Sequence, residues 1–366
     1  MGLNTAALGE QIQRLAGIDP LAEVDETFFR PTGNDHLAQF CLKNLAPELA
    51  ELELRDQRAF LLAELEESLG LNFNLTADPN YAAATLGETG GPGGVQVVLD
   101  LGMPQLVLVH YLGEARAIGK LNGRLTSLPF LSPARLGREE MLGLRASLGR
   151  ILLVRLGFEQ NPKLFAEPTG LLGTLKGGQS GPLLEQWLRT KPELVRVEAL
   201  GGEGGEGSGS RIEILETGAL WGKGMRLANF LERCQKVEAL LDLRYRQIEQ
   251  HHLCSVVTQG GWSRLVGEPV RFVFEQPIER MDRFLALLGQ GLKPLEFYGN
   301  PERLSPNLWG MELCDATGGW LRLSLTPHWL SCELTGPHSI PLFDRLEGFL
   351  AKQVEATLGL QPWGEP

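Results

Sequence analysis

Apolar residues recur at intervals of three and four along the first part of the chain. Leu8, Ile12 and Leu15 form one stripe, and Phe60, Leu61, Leu65 and Leu69 form another that Gly70 is placed to close. Between them Leu37, Phe40, Cys41 and Leu45 keep the same spacing behind Asp35, a side chain suited to an N-cap, and Pro47 can open the next helix. Glu48, Glu51, Glu53, Asp56, Glu64, Glu66 and Glu67 fill complementary positions. This pattern predicts an acidic helical unit over residues 1–75. Residues 76–94 have little apolar periodicity and end in a Gly/Pro cluster, which predicts a linker.

Beyond the linker the period changes. Val95–Leu99 and Leu106–His110 read as strands about a turn at Gly102, Met103 and Pro104, and Ile151–Arg155 as another strand. A short helix is expected over Leu184–Leu188. Leu194–Glu198 and Arg211–Leu215 alternate apolar and polar residues around a Gly-rich stretch, as a hairpin with an expanded loop does. From Met225 to Gln250 runs the longest helical pattern, with Leu227, Leu231, Cys234, Leu241, Tyr245 and Ile248 on one stripe and Glu238 at the missed position. Two to three heptads suit a buried spine helix better than a coiled coil.

The remaining residues predict a strand at Val270–Glu275, a helix behind Pro277 carrying Ile278, Met281, Phe284, Leu285 and Leu288, and a three-strand meander. Its strands are Trp309–Cys314, Trp320–Leu325 and Trp329–Leu334. A closing helix places Phe343, Leu346, Leu350 and Val354 on one face. The expected fold class is α+β: an acidic helical unit (1–75), a linker (76–94), a central mixed α/β region ending in the long helix (95–252), and a C-terminal two-layer unit of antiparallel meander plus helices (253–366).

Charge sharpens this division. The 366 residues carry a formal net charge of −11, which argues against a surface built wholly for nucleic acid or an anionic membrane. The first 90 residues hold five basic against fifteen acidic side chains, while residues 116–163 hold nine basic against three acidic. Head and basic segment are therefore expected to attract, within one molecule or between copies. The basic stretch has only Phe130 and Phe158 for base stacking, so nucleic acid is not the expected partner. Five scattered cysteines suggest a reducing compartment. With no signal-like N-terminus and no spanning apolar run, a cytoplasmic location is expected.

Two constellations stand out. Period-two alternation puts Trp320, Arg322 and Ser324 on one side of the meander with Trp329, Ser331 and Glu333, opposite a face of leucines. Large aromatics beside arginine have the composition of protein-interface hot spots, so Trp320, Arg322, Trp329 and Glu333 are the candidate protein-binding residues. The second is the Gly-rich run 169–181, where Gly173, Lys176, Gly177, Gly178 and Ser180 could cradle a phosphate ahead of a helix at Pro182. It lacks the Gly-Lys-Ser/Thr order of a nucleotide loop and the dinucleotide glycine fingerprint.

Cys234, His251, His252 and Cys254 match no zinc spacing, and no nucleophile elbow or metalloprotease motif occurs. No cofactor or metal is expected. These features together predict a non-enzymatic, cytoplasmic protein-binding protein, an adaptor, scaffold or chaperone-like assembly factor. The alternative is an enzyme or ligand binder holding a phosphorylated small molecule at 169–181.

Overall fold

The computed structural model describes residues 35–44, 54–75, 80–86, 95–103, 106–128, 130–137, 140–141, 143–144, 151–177, 194–200, 211–224, 227–259, 262–293, 295–316, 318–336, 338–354 and 356–359. They fall into two compact units, one drawn from Met1–Arg155, Thr174–Thr190 and Leu194–Leu241, the other from Leu156–Gly173, Lys191–Glu193 and Asp242–Pro366. The fold is mixed α+β, mostly β, in three antiparallel sheets. The stripe Leu8–Ile12–Leu15, the short helix expected at Leu184–Leu188 and the Gly-rich stretch 201–210 lie outside the described residues.

In chain order the first unit contributes β1 (Asp35–Asn44), α1 (Leu54–Leu69), β2 (Asn74–Leu75), β3 (Tyr81–Leu86), β4 (Val95–Met103), β5 (Leu106–Glu114), α2 (Ala115–Leu125) and β6 (Leu131–Pro133). There follow β7 (Ile151–Glu159) and β8 (Gly170–Lys176), each divided between the two units, then β9 (Leu194–Leu200), β10 (Arg211–Leu215), β11 (Leu220–Lys223) and the long helix α3 (Leu227–Gln247), of which the residues up to Leu241 belong to the first unit. The large sheet runs β2-β3-β4-β5-β1-β11-β10-β9-β7-β8, with β6 paired to β1 off that path.

The helix expected from Asp35 to Leu45 is instead the central strand β1, in register with β5 from Asp35↔Glu114 to Lys43↔Leu106 and with β11 on its other side. The correction has a physical cause. A strand buried on both faces carries apolar residues on each, so Leu37 and Cys41 on one face and Phe40 on the other together mimic a helical spacing. Residues 81–86, expected in a linker, form β3, which pairs with β4 from Tyr81↔Asp100 to Leu86↔Val95. The Ala-rich sequence of β3 carries no alternation to announce it.

Helices α1 and α2 cover one face of this sheet. Leu61, Leu65, Leu69, Ile118, Leu121 and Leu125 pack on Ala38, Phe40, Leu42, Val97, Leu99, Val107, Val109 and Tyr111. Each such leucine, isoleucine, valine or phenylalanine contributes roughly 1.5–3 kcal/mol by leaving water. Arg124, from the basic segment, donates from Nη2 to the carbonyl oxygen of Leu69 at 2.7 Å and so caps the carbonyl end of α1. The opposite face carries Leu37, Gln39 and Cys41 on β1, with Leu108 and His110 on β5. On α3, Phe230, Leu231, Cys234, Val237, Glu238 and Leu241 are buried, as a spine helix requires. Gly218 turns β10 into β11 at φ +71°, where a Cβ would meet Leu241 Cδ1 at 3.3 Å and Cys41 Cβ at 3.4 Å.

The second unit continues α3 through a π turn (Ile248–His252) into the hairpin β12 (Ser255–Gln259) and β13 (Trp262–Val266). Then come β14 (Val270–Phe274), α4 (Met281–Gly289), β15 (Pro301–Ser305), β16 (Leu308–Cys314), β17 (Trp320–Leu325), β18 (Trp329–Leu334), α5 (Ser339–Gln353) and β19 (Ala356–Gly359). Its sheet runs β15-β16-β17-β18-β14-β19. The expected meander, strand and two helices are all present; β12, β13, β15 and β19 were not anticipated.

One face of this second sheet forms the core with the helices. Met311, Leu313, Leu321, Leu323, Leu325, Leu330, Cys332, Leu334, Phe272 and Phe274 are buried with Phe284, Leu288, Phe343, Leu346 and Leu350. Phe274 meets Phe284 edge-on with ring centroids 5.9 Å apart, and Phe272 lies 5.8 Å from Phe343. Arg244 near the end of α3 is held by Asp344 and Glu347 of α5, and the Tyr245 hydroxyl donates to Asp344 Oδ2 at 2.9 Å.

Candidate functional site

The register of β16, β17 and β18 determines which side chains share the side away from the helices. Glu312 stands opposite Arg322, and Arg322 opposite Glu333; in the next row Gly310, Ser324 and Ser331 align, with Arg271 of β14 beyond Ser331. Trp329 pairs with Val273, and Trp320 with Cys314. Trp320, Arg322, Trp329 and Glu333 therefore lie on one side of one sheet, brought together by strand pairing alone.

Their environments differ. Trp320 is 51 % exposed. Arg322 is exposed and donates from Nε and Nη2 to Glu312 Oε1 at 3.1 and 2.9 Å, while its Nη1 lies 3.6 Å from Glu333 Oε2. One guanidinium between two carboxylates leaves this row with net negative charge. Trp329 is half-buried, with the Arg271 guanidinium 4.8 Å from its ring centroid, and Ser331 beside it is buried. The face is thus open at Trp320 and partly covered at Trp329. The start of β17 is anchored, since the hydroxyls of Thr335 and Ser339 both donate to the carbonyl oxygen of Trp320.

Strand pairing adds two residues that sequence reasoning missed. Tyr298 exchanges both backbone hydrogen bonds with Cys314, at 2.8 and 2.9 Å, and Cys314 in turn pairs with Trp320. Alternation along β16 could have placed Cys314 beside Glu312. Tyr298 sits in an irregular segment with no period, so nothing local announces it.

The Gly-rich run does not form a loop over its described part. Gly173 and Lys176 belong to β8 at an edge of the large sheet, and Gly177 turns out of it at φ +93° with its N–H donated to the Leu152 carbonyl at 2.8 Å. That amide is committed to backbone, unlike the converging free amides of a phosphate cradle. A Gly-rich run of this kind reads as a surface loop from sequence, and the structure corrects that: the threonine and leucines among the glycines supply enough strand preference to pair. Gly178 and Ser180 lie outside the described residues.

Among the described residues no group of three or more His, Cys, Asp or Glu side chains could hold a metal ion. Cys234 is buried on α3, the His252 ring lies 2.9 Å from the Glu268 carbonyl oxygen, and Cys254 is held 3.6 Å from the His252 carbonyl oxygen. Burial pushes the Cys41 thiol up to about 12 and those of Cys234 and Cys332 well above their ordinary value, the opposite of what a thiolate nucleophile needs. No described helix is long and apolar enough to cross a membrane.

No family model and no curated protein matches the chain.

Proposed function

We propose that this chain is a non-enzymatic protein-binding protein, an adaptor or chaperone-like assembly factor, and that it engages its partner through the side of the second sheet that faces away from α4 and α5. The observation that carries this reading is Trp320, a large aromatic standing half in water beside Arg322 on a pinned strand. An indole left in water forgoes the apolar contact it could make, and tryptophan and arginine are the residues most often found to dominate binding energy at protein interfaces. A cytoplasmic location, drawn from cysteine usage, belongs to the same reading. The phosphate-binding alternative gains no support from β8, whose glycines lie in a sheet edge.

The test compares capture of partner proteins by the full chain and by Trp320→Ala and Trp329→Ala, with partners identified by mass spectrometry and melting temperature followed in parallel. The reading expects Trp320→Ala to lose a defined partner while melting within a few degrees of the parent. Capture of the same partners at the same yield by both variants overturns it, and so does loss of folding in Trp320→Ala, which would make the indole a core residue.

A further inference from the structure

The row that ends in Trp320 has a shape that the neighbouring rows lack. Tyr298, Cys314 and Trp320 are successive cross-strand partners, so their side chains leave the same side of the sheet. Two strand spacings of about 4.8 Å put the two aromatic residues roughly 10 Å apart. The residue between them is a small, half-buried cysteine. Tyr298 is 53 % exposed, and its ring leans on Gly291, where a Cβ would come within 2.5 Å of the ring edge. Along this row an aromatic residue therefore flanks a small thiol on each side, a slot one residue wide.

Charge decides what fits. The adjoining row is Glu312–Arg322–Glu333, in which both carboxylates share one guanidinium and the sum is one negative charge. Aromatic faces attract a cation within about 6 Å of the ring centroid, and this row carries an aromatic residue on either side of a small one. An anion would meet two ring faces and a net negative row, and an aliphatic group would forgo both attractions.

Resting on the protein-binding reading above, we infer that the Tyr298–Cys314–Trp320 slot takes a lysine or arginine side chain from a basic segment of the partner protein. The indole and phenol faces flank the cation, and the excess carboxylate charge of the Glu312–Arg322–Glu333 row draws it in. Gly291 supports the slot as well, because a larger residue there would displace the Tyr298 ring.

The probe is a fluorescein-labelled octapeptide of alternating lysine and glycine, titrated by anisotropy into the full-length protein, with the glutamate–glycine counterpart alongside. Alkylation of Cys314 by iodoacetamide, followed by peptide mass spectrometry, reports occupancy of the slot floor. The inference expects the basic peptide to bind, to slow Cys314 alkylation several-fold at saturation, and to bind at least tenfold more weakly to Trp320→Ala and Tyr298→Ala. Equal binding of the acidic peptide, undiminished binding to Trp320→Ala, or unprotected Cys314 at saturation overturns it. The protection experiment uses the unmodified protein, so it decides the matter even where a variant misfolds. Should the basic peptide fail while Trp320→Ala still loses its captured partner, the slot assignment falls and the protein-binding reading stands.

Discussion

Gln39 on β1 stands directly across from His110 on β5, and both side chains are buried. Gln39 donates from Nε2 to Cys41 Sγ at 3.2 Å, but among the described residues its Oε1 and both ring nitrogens of His110 have no hydrogen-bond partner. Burial alone drives the His110 imidazole down to about 3. The unfolded chain, with an ordinary histidine value near 6.5, then binds a proton that the folded chain refuses. Stability contributed by neutral His110 is complete above about pH 6.5 and lost as pH falls toward 3, by roughly 4–5 kcal/mol over that window. Urea unfolding at a series of pH values should show this slope, and His110→Leu should flatten it at little cost at pH 7. An unchanged slope in that variant would assign the acid sensitivity elsewhere.

The five thiols should differ sharply in reactivity. Cys41, Cys234, Cys254 and Cys332 are buried, and burial raises all four thiols; Cys314 alone is half-buried. Alkylation of the native protein at pH 8 should label Cys314 first, and the other four should follow only with unfolding. Fast labelling of Cys41 in the folded state would contradict the packing of β1 beneath Gly218.

Arg244 and Asp344 form a nearly buried ion pair with Glu347 alongside. Removing the cation takes the countercharge from two nearly buried carboxylates, so Arg244→Met should cost about 3–5 kcal/mol. Tyr245→Phe, which deletes one hydrogen bond to the same Asp344, should cost about 1 kcal/mol. Denaturant midpoints of the two variants measure the ratio directly, and equal losses would show that Arg244 contributes no more than the hydroxyl.

Gly291 adopts φ +67° against the Tyr298 ring. Gly291→Ala should therefore lower stability by about 1 kcal/mol or more through backbone strain, and should weaken binding of the lysine–glycine peptide by moving the phenol. Normal peptide affinity in a folded Gly291→Ala protein would mean that Tyr298 does not wall the slot.

Particular elements show why some of this was legible in one dimension. The strands Trp320–Leu325 and Trp329–Leu334 each have one buried and one wetter face, so their alternation is written in the residues, and the shared side of Trp320, Arg322, Trp329 and Glu333 follows from it. The helix α5 announces itself by an amphipathic stripe, and α3 by its long 3–4 spacing. β1 could not be read this way, because burial on both faces erases the contrast between periods; its nine-position pairing with β5 makes it a strand. Gly173 and Lys176 looked like loop residues because glycine marks turns far more often than strand edges.

Sequence by itself determined the α+β character of the second unit, the two-sided chemistry of its meander and the spine character of α3, since each depends on local periodicity against water. Tertiary structure alone decided that β1 is the centre of a sheet, that Trp329 is sheltered by Arg271 while Trp320 stays open, and that Tyr298 joins Cys314 and Trp320. Those three outcomes rest on hydrogen bonds or packing between separate segments of the chain, and such partners leave no imprint on the spacing of residues along any one of them.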